Sequence, residues 1–249
     1  MNISTFAGNV YKILRMKGYF ILGMNNNLLI PAGSILRIED KEENISTSTF
    51  NFQNQTKLAL NGNCFLSSIL KINADIDIGS SGLLSIFTSL NNAPKIYFAP
   101  NTGINCFGEL NINSSNKNKV ELLVDSSIDT CYWSGIKCEN PQNILIDNTK
   151  IKKAKTGFSA TDYISNIVIQ NSDFQNNLFT DIKLDNSLTS DQANADINHC
   201  VFTGNSNLLS SIVTDDILNV QISYNQFNDI HSNGVSLLYT LNPILTNNN

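Results

Sequence analysis

The residues best suited to chemistry are few and lie in the second half of the chain. Asn171-Ser172-Asp173, Asp215-Asp216 and His231 follow one another in that order. Two carboxylates flanking a glycosidic bond can protonate the leaving oxygen and activate water, so these acids are the first candidates for hydrolysis. Lys150, Lys152, Lys153 and Lys155 form a second group, in which one lysine could serve as a base. Crowded at one turn, they read more simply as a solvated charged surface. His199 and His231 are the only histidines, and a turn position accounts for each better than a base or a metal ligand. Cys64, Cys106, Cys131, Cys138 and Cys200 are odd in number and scattered. Cys131 and Cys138 could pair, but buried free thiols fit that distribution better. No histidine joins them at zinc-site spacing, so no metal is expected. Neither a nucleophile elbow nor a phosphate-cradling glycine loop is present, and no cofactor is implied.

What would position these side chains is a repeat. TDYISNIVIQNSDFQNN from Thr161 aligns with TDDILNVQISYNQFNDI from Thr214, and NILIDNTKI from Asn143 and NADINHCVF from Asn194 share the frame. Aligned on Asn143, Asn166, Asn194 and Asn219, the copies advance by 23 (166−143), 28 (194−166) and 25 (219−194) residues. The columns Ile146, Ile169, Ile197, Ile222 and Ile151, Phe174, Phe202, Phe227 advance by the same steps. In this register Asp173 shares a column with Lys150, Val201 and Gln226, and Asp215 one with Asp162 and Ser190. His199 falls with Asn148, Asn171 and Tyr224. The acids become turn positions of a repeat rather than a catalytic cluster.

A period of 20–30 residues made of short strands and polar turns defines a solenoid, in which each coil buries its apolar face against its neighbours. The leucine-rich pattern is missing and helical periodicity is nowhere sustained. An all-β parallel β-helix remains, with like residues stacked about 4.8 Å apart. LLIPAGSILRIED, KLALNGNCFL, DIDIGSSGLLSIF and IYFAPNTGINCFGELNI carry the same texture toward the N-terminus, with Gly, Asn or Pro between apolar runs. The expected organisation is a short N-terminal cap over 1–27, a β-helix over 28–238, and a polar tail over 239–249. Asn113 to Asn118 is the most linker-like stretch within it.

Composition bounds the partners. The 249 residues hold 16 Lys+Arg against 21 Asp+Glu, and only Arg15 and Arg37 are arginines. A net charge of −5 disfavours nucleic acid. Asn fills about one position in six, which suits turns and left-handed corners and does not suit helices. No apolar run reaches the roughly 18 residues of a membrane span, and no signal peptide is legible.

IPAGSILRI from Ile30, WSGIKC from Trp133, and the repeats ILIDNTKI, IVIQNSDFQNN, INHCVFTGN and QISYNQFND resemble the right-handed parallel β-helix repeat family, the pectate-lyase-like superfamily in its broad sense. The resemblance spans about Leu28 to Leu238. It implies a right-handed coil, export to the cell surface or medium, and dealings with polysaccharides. The lyases of this superfamily use Asp-bound Ca²⁺ and an Arg or Lys base, yet no Arg follows Arg37. The hydrolase pattern of Asn-x-Asp, Asp-Asp, Gly-His-Gly and Arg-x-Lys also fails: His231 lacks flanking glycines and no Arg-x-Lys follows. No catalytic residue is assigned. Ligand contact is expected at exposed aromatics that could stack on a sugar: Trp133, Tyr132, Tyr163 and Tyr224. Trp133 equally suits packing at a coil corner against Ile136. A threonine surface array is not supported, since Thr47-x-Thr49 does not recur.

The expected function is a non-catalytic extracellular or cell-surface module for adhesion or glycan binding. The alternative is a polysaccharide-active lyase, hydrolase or epimerase with a site on one sheet face. Open solenoid ends need covering, which suggests a piece of a longer exported protein or a lateral homo-oligomer.

Overall fold

A computed structural model describes the chain fully at residues 72, 75–87, 94–114, 118–162, 166–186, 194–204 and 208–249, and earlier describes the backbone of strands from Ile13–Met16 to Leu70–Ile72. Tyr163, Cys64, Thr47 and Thr49 lie outside the residues whose side chains are described.

The described chain is a parallel β-solenoid with no helix among its described residues. Its strands stack into three long parallel sheets of ten, seven and nine strands. The coils from Asn63–Leu66 to Gln226–Asn228 visit all three, while Phe20–Leu22 and Phe50–Phe52 of the earlier coils pair in a separate two-stranded sheet. In one coil Asn143–Asp147 lies in the first sheet, Thr149–Lys152 in the second, and Thr156–Thr161 in the third. The next coil repeats the circuit with Ile167–Gln170, Asp173–Gln175 and Thr180–Asp185.

The sheets form because inward and outward residues alternate. Ile144 and Ile146 are buried while Asn143, Leu145 and Asp147 are not. Ile146 pairs with Ile169, Ile169 with Ile197, and Ile197 with Ile222, each fully buried. In the second sheet Ile151, Phe174, Phe202 and Phe227 pair in turn. Their rings lie nearly face on, with centroids 5.3 Å apart for Phe174–Phe202 and 5.0 Å for Phe202–Phe227. Parallel in-register strands put like residues one rung apart, so aromatic stacking follows directly from the repeat.

Between sheets the chain turns on single residues in the left-handed region. The corner after the first sheet holds Asn148, Asn171, His199, Tyr224 and Asn247, with φ between 48° and 56°. The corner after the second holds Lys153, Asn176 and Asp229, at φ 55°, 53° and 52°. The corner after the third holds Asn140, Asp162, Asp216 and Tyr239. Asparagine and aspartate tolerate this region better than other chiral residues. Asparagine supplies seven of the fourteen non-glycine residues in this region among the described residues. Corner amides on coils that have a successor pair with it, for example Asn171 N–H to Asn198 O at 3.1 Å and His199 N–H to Ser223 O at 3.1 Å.

The position just inside the first corner carries a buried polar ladder of Thr149, Ser172, Cys200 and Asn225, with Asn248 beyond. Asn225 Oδ1 accepts from Cys200 N–H at 2.9 Å, and Asn225 Nδ2 donates to Ile197 O at 2.9 Å and to Asn248 Oδ1 at 3.1 Å. Thr149 N–H donates to Ser172 Oγ at 3.1 Å. The turning backbone cannot pair every group with the next coil, and these side chains take up the remainder.

Three details differ from the sequence reading. The coil pattern begins before residue 28, because Ile13–Met16 pairs with Ile35–Ile38. It also extends beyond 238: Asn233–Leu238 pairs with the preceding coil, and Ile244–Thr246 pairs with Asn219–Ser223. Gln221 pairs with Ile244, so Asn242 falls in the Asn219 column as a fifth copy. Asp215 sits one rung position away from the expected place. It pairs with Asp185, which pairs with Thr161, whereas Asp162 and Asp216 share the corner. The last corner of that coil is one residue shorter, so the two Thr-Asp pairs do not stack.

Candidate functional site

The first sheet turns an amide-rich face outward. Asn143 and Asn166 stand on adjacent coils, with Asn166 Nδ2 donating to Asn143 Oδ1 at 3.3 Å. Asn219 Nδ2 donates to Asn194 Oδ1 at 3.3 Å in the same column higher up. Beside this ladder runs a mixed outward column in which Leu145 pairs with Val168, Val168 with Asp196, and Asp196 with Gln221. Together they bound a groove of about 440 Å³ that crosses four coils, from Asn166 to Ile244. Asn194, Asn219, Asn242 and Gln221 line its polar side, and Val168, Pro243 and Ile244 contribute apolar surface.

Asp196 is the titratable side chain among the residues lining the groove. Its Oδ1 is buried and makes no hydrogen bond. Two-carboxylate hydrolysis would need a second acid on this face. The groove lining holds none.

Of the acids and lysines singled out in the sequence, Asp173 and Lys153 are engaged in ion pairs outside this groove. Asp173 is outward on the second sheet and pairs with Lys119 Nζ at 2.5 Å. Lys153 Nζ binds Asp129 at 2.8 Å, and that hydrogen bond holds the Asp129 carboxyl below its usual range. Lys150 stacks beside Asp173 and Glu121, so the outward face alternates in charge. Asp185 pairs with Lys183 at 3.4 Å within its own strand. Among the described residues no group of three or more His, Cys, Asp or Glu is arranged to hold a metal ion.

The aromatic candidates are dispersed. Trp133 is wholly buried: its ring lies flat on Phe98, centroids 4.6 Å apart, and its Nε1 donates to Lys152 O at 2.9 Å. Its packing partner is thus Phe98, and no ring face meets solvent. Tyr132 is half-buried, with its carbonyl accepting from Asn101 N–H at 3.1 Å. Tyr224 projects from the first corner, 55% exposed, and stacks on His199 at 5.0 Å. Tyr132 precedes the third sheet and Tyr224 follows the first, so the two do not share a surface. Of the described candidates, Tyr224 and its stacked His199 present the exposed ring surface. Asp196 is not distinguished by the sequence, because its neighbours Ala195 and Ile197 mark it only as an outward strand residue.

These features define a parallel β-solenoid with a polar groove on one sheet. No family model matches the chain, and no curated protein or solved structure matches it either.

Proposed function

We propose that this chain is a non-catalytic extracellular or cell-surface module that binds a glycan along the groove of the first sheet. The observation that carries this reading is the amide ladder of Asn166, Asn194, Asn219 and Asn242 flanking Asp196 over apolar surface. Amides offer paired donors and acceptors matched to sugar hydroxyls, and the apolar strip suits a sugar ring's C–H face. The rungs repeat about every 4.8 Å, which favours an extended repeating ligand over a compact one. Tyr224 stacked on His199 adds an aromatic platform at the neighbouring corner.

The test is a glycan array probed with the full chain, followed by calorimetry on any hit with Asp196→Asn and Asn194→Ala. Both substitutions are expected to weaken binding at least several-fold while leaving the thermal midpoint within a few degrees. Uniform silence on the array, or hits indifferent to both substitutions, overturns the reading. A polysaccharide lyase, the runner-up, would generate unsaturated sugars absorbing in the ultraviolet; none is expected.

A further inference from the structure

Cys106 and Cys138 occupy facing positions on adjacent coils of the third sheet, where Gly103–Cys106 pairs in register with Gly135–Glu139. Both side chains point inward and both are fully buried. Their column continues with Ile78 below and Ala160 above, all apolar. Cys131, adjacent in sequence and half-buried, has no register position opposite Cys138.

In-register neighbours on parallel strands have Cα atoms about 4.8 Å apart, inside the range of about 4.4–6.8 Å that a disulfide spans. Side chains on the same face of adjacent rungs also point the same way, so no backbone reversal is needed. We propose that Cys106 and Cys138 form a redox-sensitive pair that closes into a disulfide between adjacent coils when the chain meets a small-molecule disulfide oxidant.

The two thiols are chemically unequal. The neighbouring Cys138 thiol draws the Cys106 thiol below its ordinary pKa, whereas burial pushes Cys138 well above. In the opened coil these folded-state surroundings are lost and either sulfur can supply the attacking thiolate, here Cys106. It attacks one sulfur of the oxidant, forming a mixed disulfide and releasing one small thiolate. That thiolate takes the Cys138 proton, and Cys138 attacks the Cys106 sulfur and expels the second small thiolate, which takes up the proton that Cys106 gave to solvent. Two protein thiols are oxidised as one small disulfide is reduced to two thiols. Because both sulfurs are buried, exchange proceeds while this coil is open, during folding or local unfolding.

The experiment refolds the full chain in a glutathione redox buffer and maps peptides under non-reducing conditions. A cross-link between the peptides holding Cys106 and Cys138 is expected, together with a rise of several degrees in Tm that reductant reverses. Cys131→Ala should keep the cross-link, and Cys106→Ala should abolish it with little change in the reduced Tm. Folded protein exposed to the same buffer should oxidise far more slowly than refolding protein. A Cys131–Cys138 link, or free thiols at both Cys106 and Cys138 after refolding, overturns the proposal. If Cys106→Ala fails to fold, the wild-type map alone decides the pairing.

Discussion

Asp181 and Asn177 are joined inside the solenoid: Asn177 Nδ2 donates to Asp181 Oδ1 at 2.7 Å, and both side chains are fully buried. The acid stands in a column that is otherwise small, with Gly103, Gly135 and Gly157 on lower coils and Ser211 and Gly234 on higher ones. Burial raises the Asp181 carboxyl to a pKa of about 7.

A pH dependence follows. The folded chain holds this proton more tightly than the unfolded chain, whose aspartate ionises near 3.8. The neutral acid therefore favours folding below about pH 4, and the advantage is lost progressively as pH rises to about 7. The total is about 4 kcal/mol at most. Asp181→Asn removes the titration, so its stability relative to wild type should climb across that window and level off above it. Urea midpoints for both proteins from pH 4 to 8 measure this. A gap that stays constant would show that Asp181 does not titrate as described.

The phenylalanine stack predicts a graded mutational response. Phe202 lies between Phe174 and Phe227 and is fully buried. Phe202→Ala should cost about 3–5 kcal/mol, typical of a large cavity in a packed core. Phe227 is only partly buried, and its alanine substitution should cost less. Chemical denaturation gives both values, and near-ultraviolet circular dichroism reports the loss of stacking.

Two asparagines in the same coil separate corner chemistry from surface chemistry. Asn225→Ala leaves Cys200 N–H and Ile197 O unpaired in the interior, and should destabilise by about 2–4 kcal/mol. Asn219 bonds Asn194 on the outside, and Asn219→Ala should change stability by less than about 0.5 kcal/mol. Equal effects in urea titrations would contradict the assignment of inside and outside.

Gly135 is the glycine the fold tolerates least changing. It sits at φ +98°, and a Cβ there would lie 1.7 Å from Thr156 O. At Gly234 the nearest atom would be Phe227 Cδ1 at 3.4 Å. Gly135→Ala should therefore abolish folding or cost more than about 4 kcal/mol, while Gly234→Ala is tolerated. Soluble yield and Tm of the two variants decide it.

The interior was legible because its columns are set by identity at fixed spacing. Ile146 to Ile222 and Ile151 to Phe227 stack as their sequence steps required. The alignment of His199 with Asn148, Asn171 and Tyr224 likewise became one left-handed corner. What escaped the sequence was position across variable loops. Thr161-Asp162 and Thr214-Asp215 look equivalent, yet a corner shorter by one residue slips them apart. The fifth copy at Asn242 was hidden because Pro243 and Leu245 replace the usual residues. The groove was not legible, because Val168, Asp196 and Gln221 share no residue type and meet only through stacking. Neither was the facing of Cys106 with Cys138, which lie 32 residues apart (138−106) in a part of the chain where the repeat is faint.

The first two corners divide the chain into two kinds of sequence. From Asn148 to Lys153, Asn171 to Asn176 and Tyr224 to Asp229 the distance is always five residues. Among these coils the variation in length falls after the second corner, where Lys153 to Asp162 is nine residues and Asp229 to Tyr239 is ten. The five-residue arc fixes the register of the first two sheets, while hydrogen bonding between strands sets the height of each step. Length inserted after the second corner leaves the interior in register, whereas a single residue added within the arc would turn every later inward side chain outward until the next corner. Such a chain can vary its outer surface freely while its step height stays fixed.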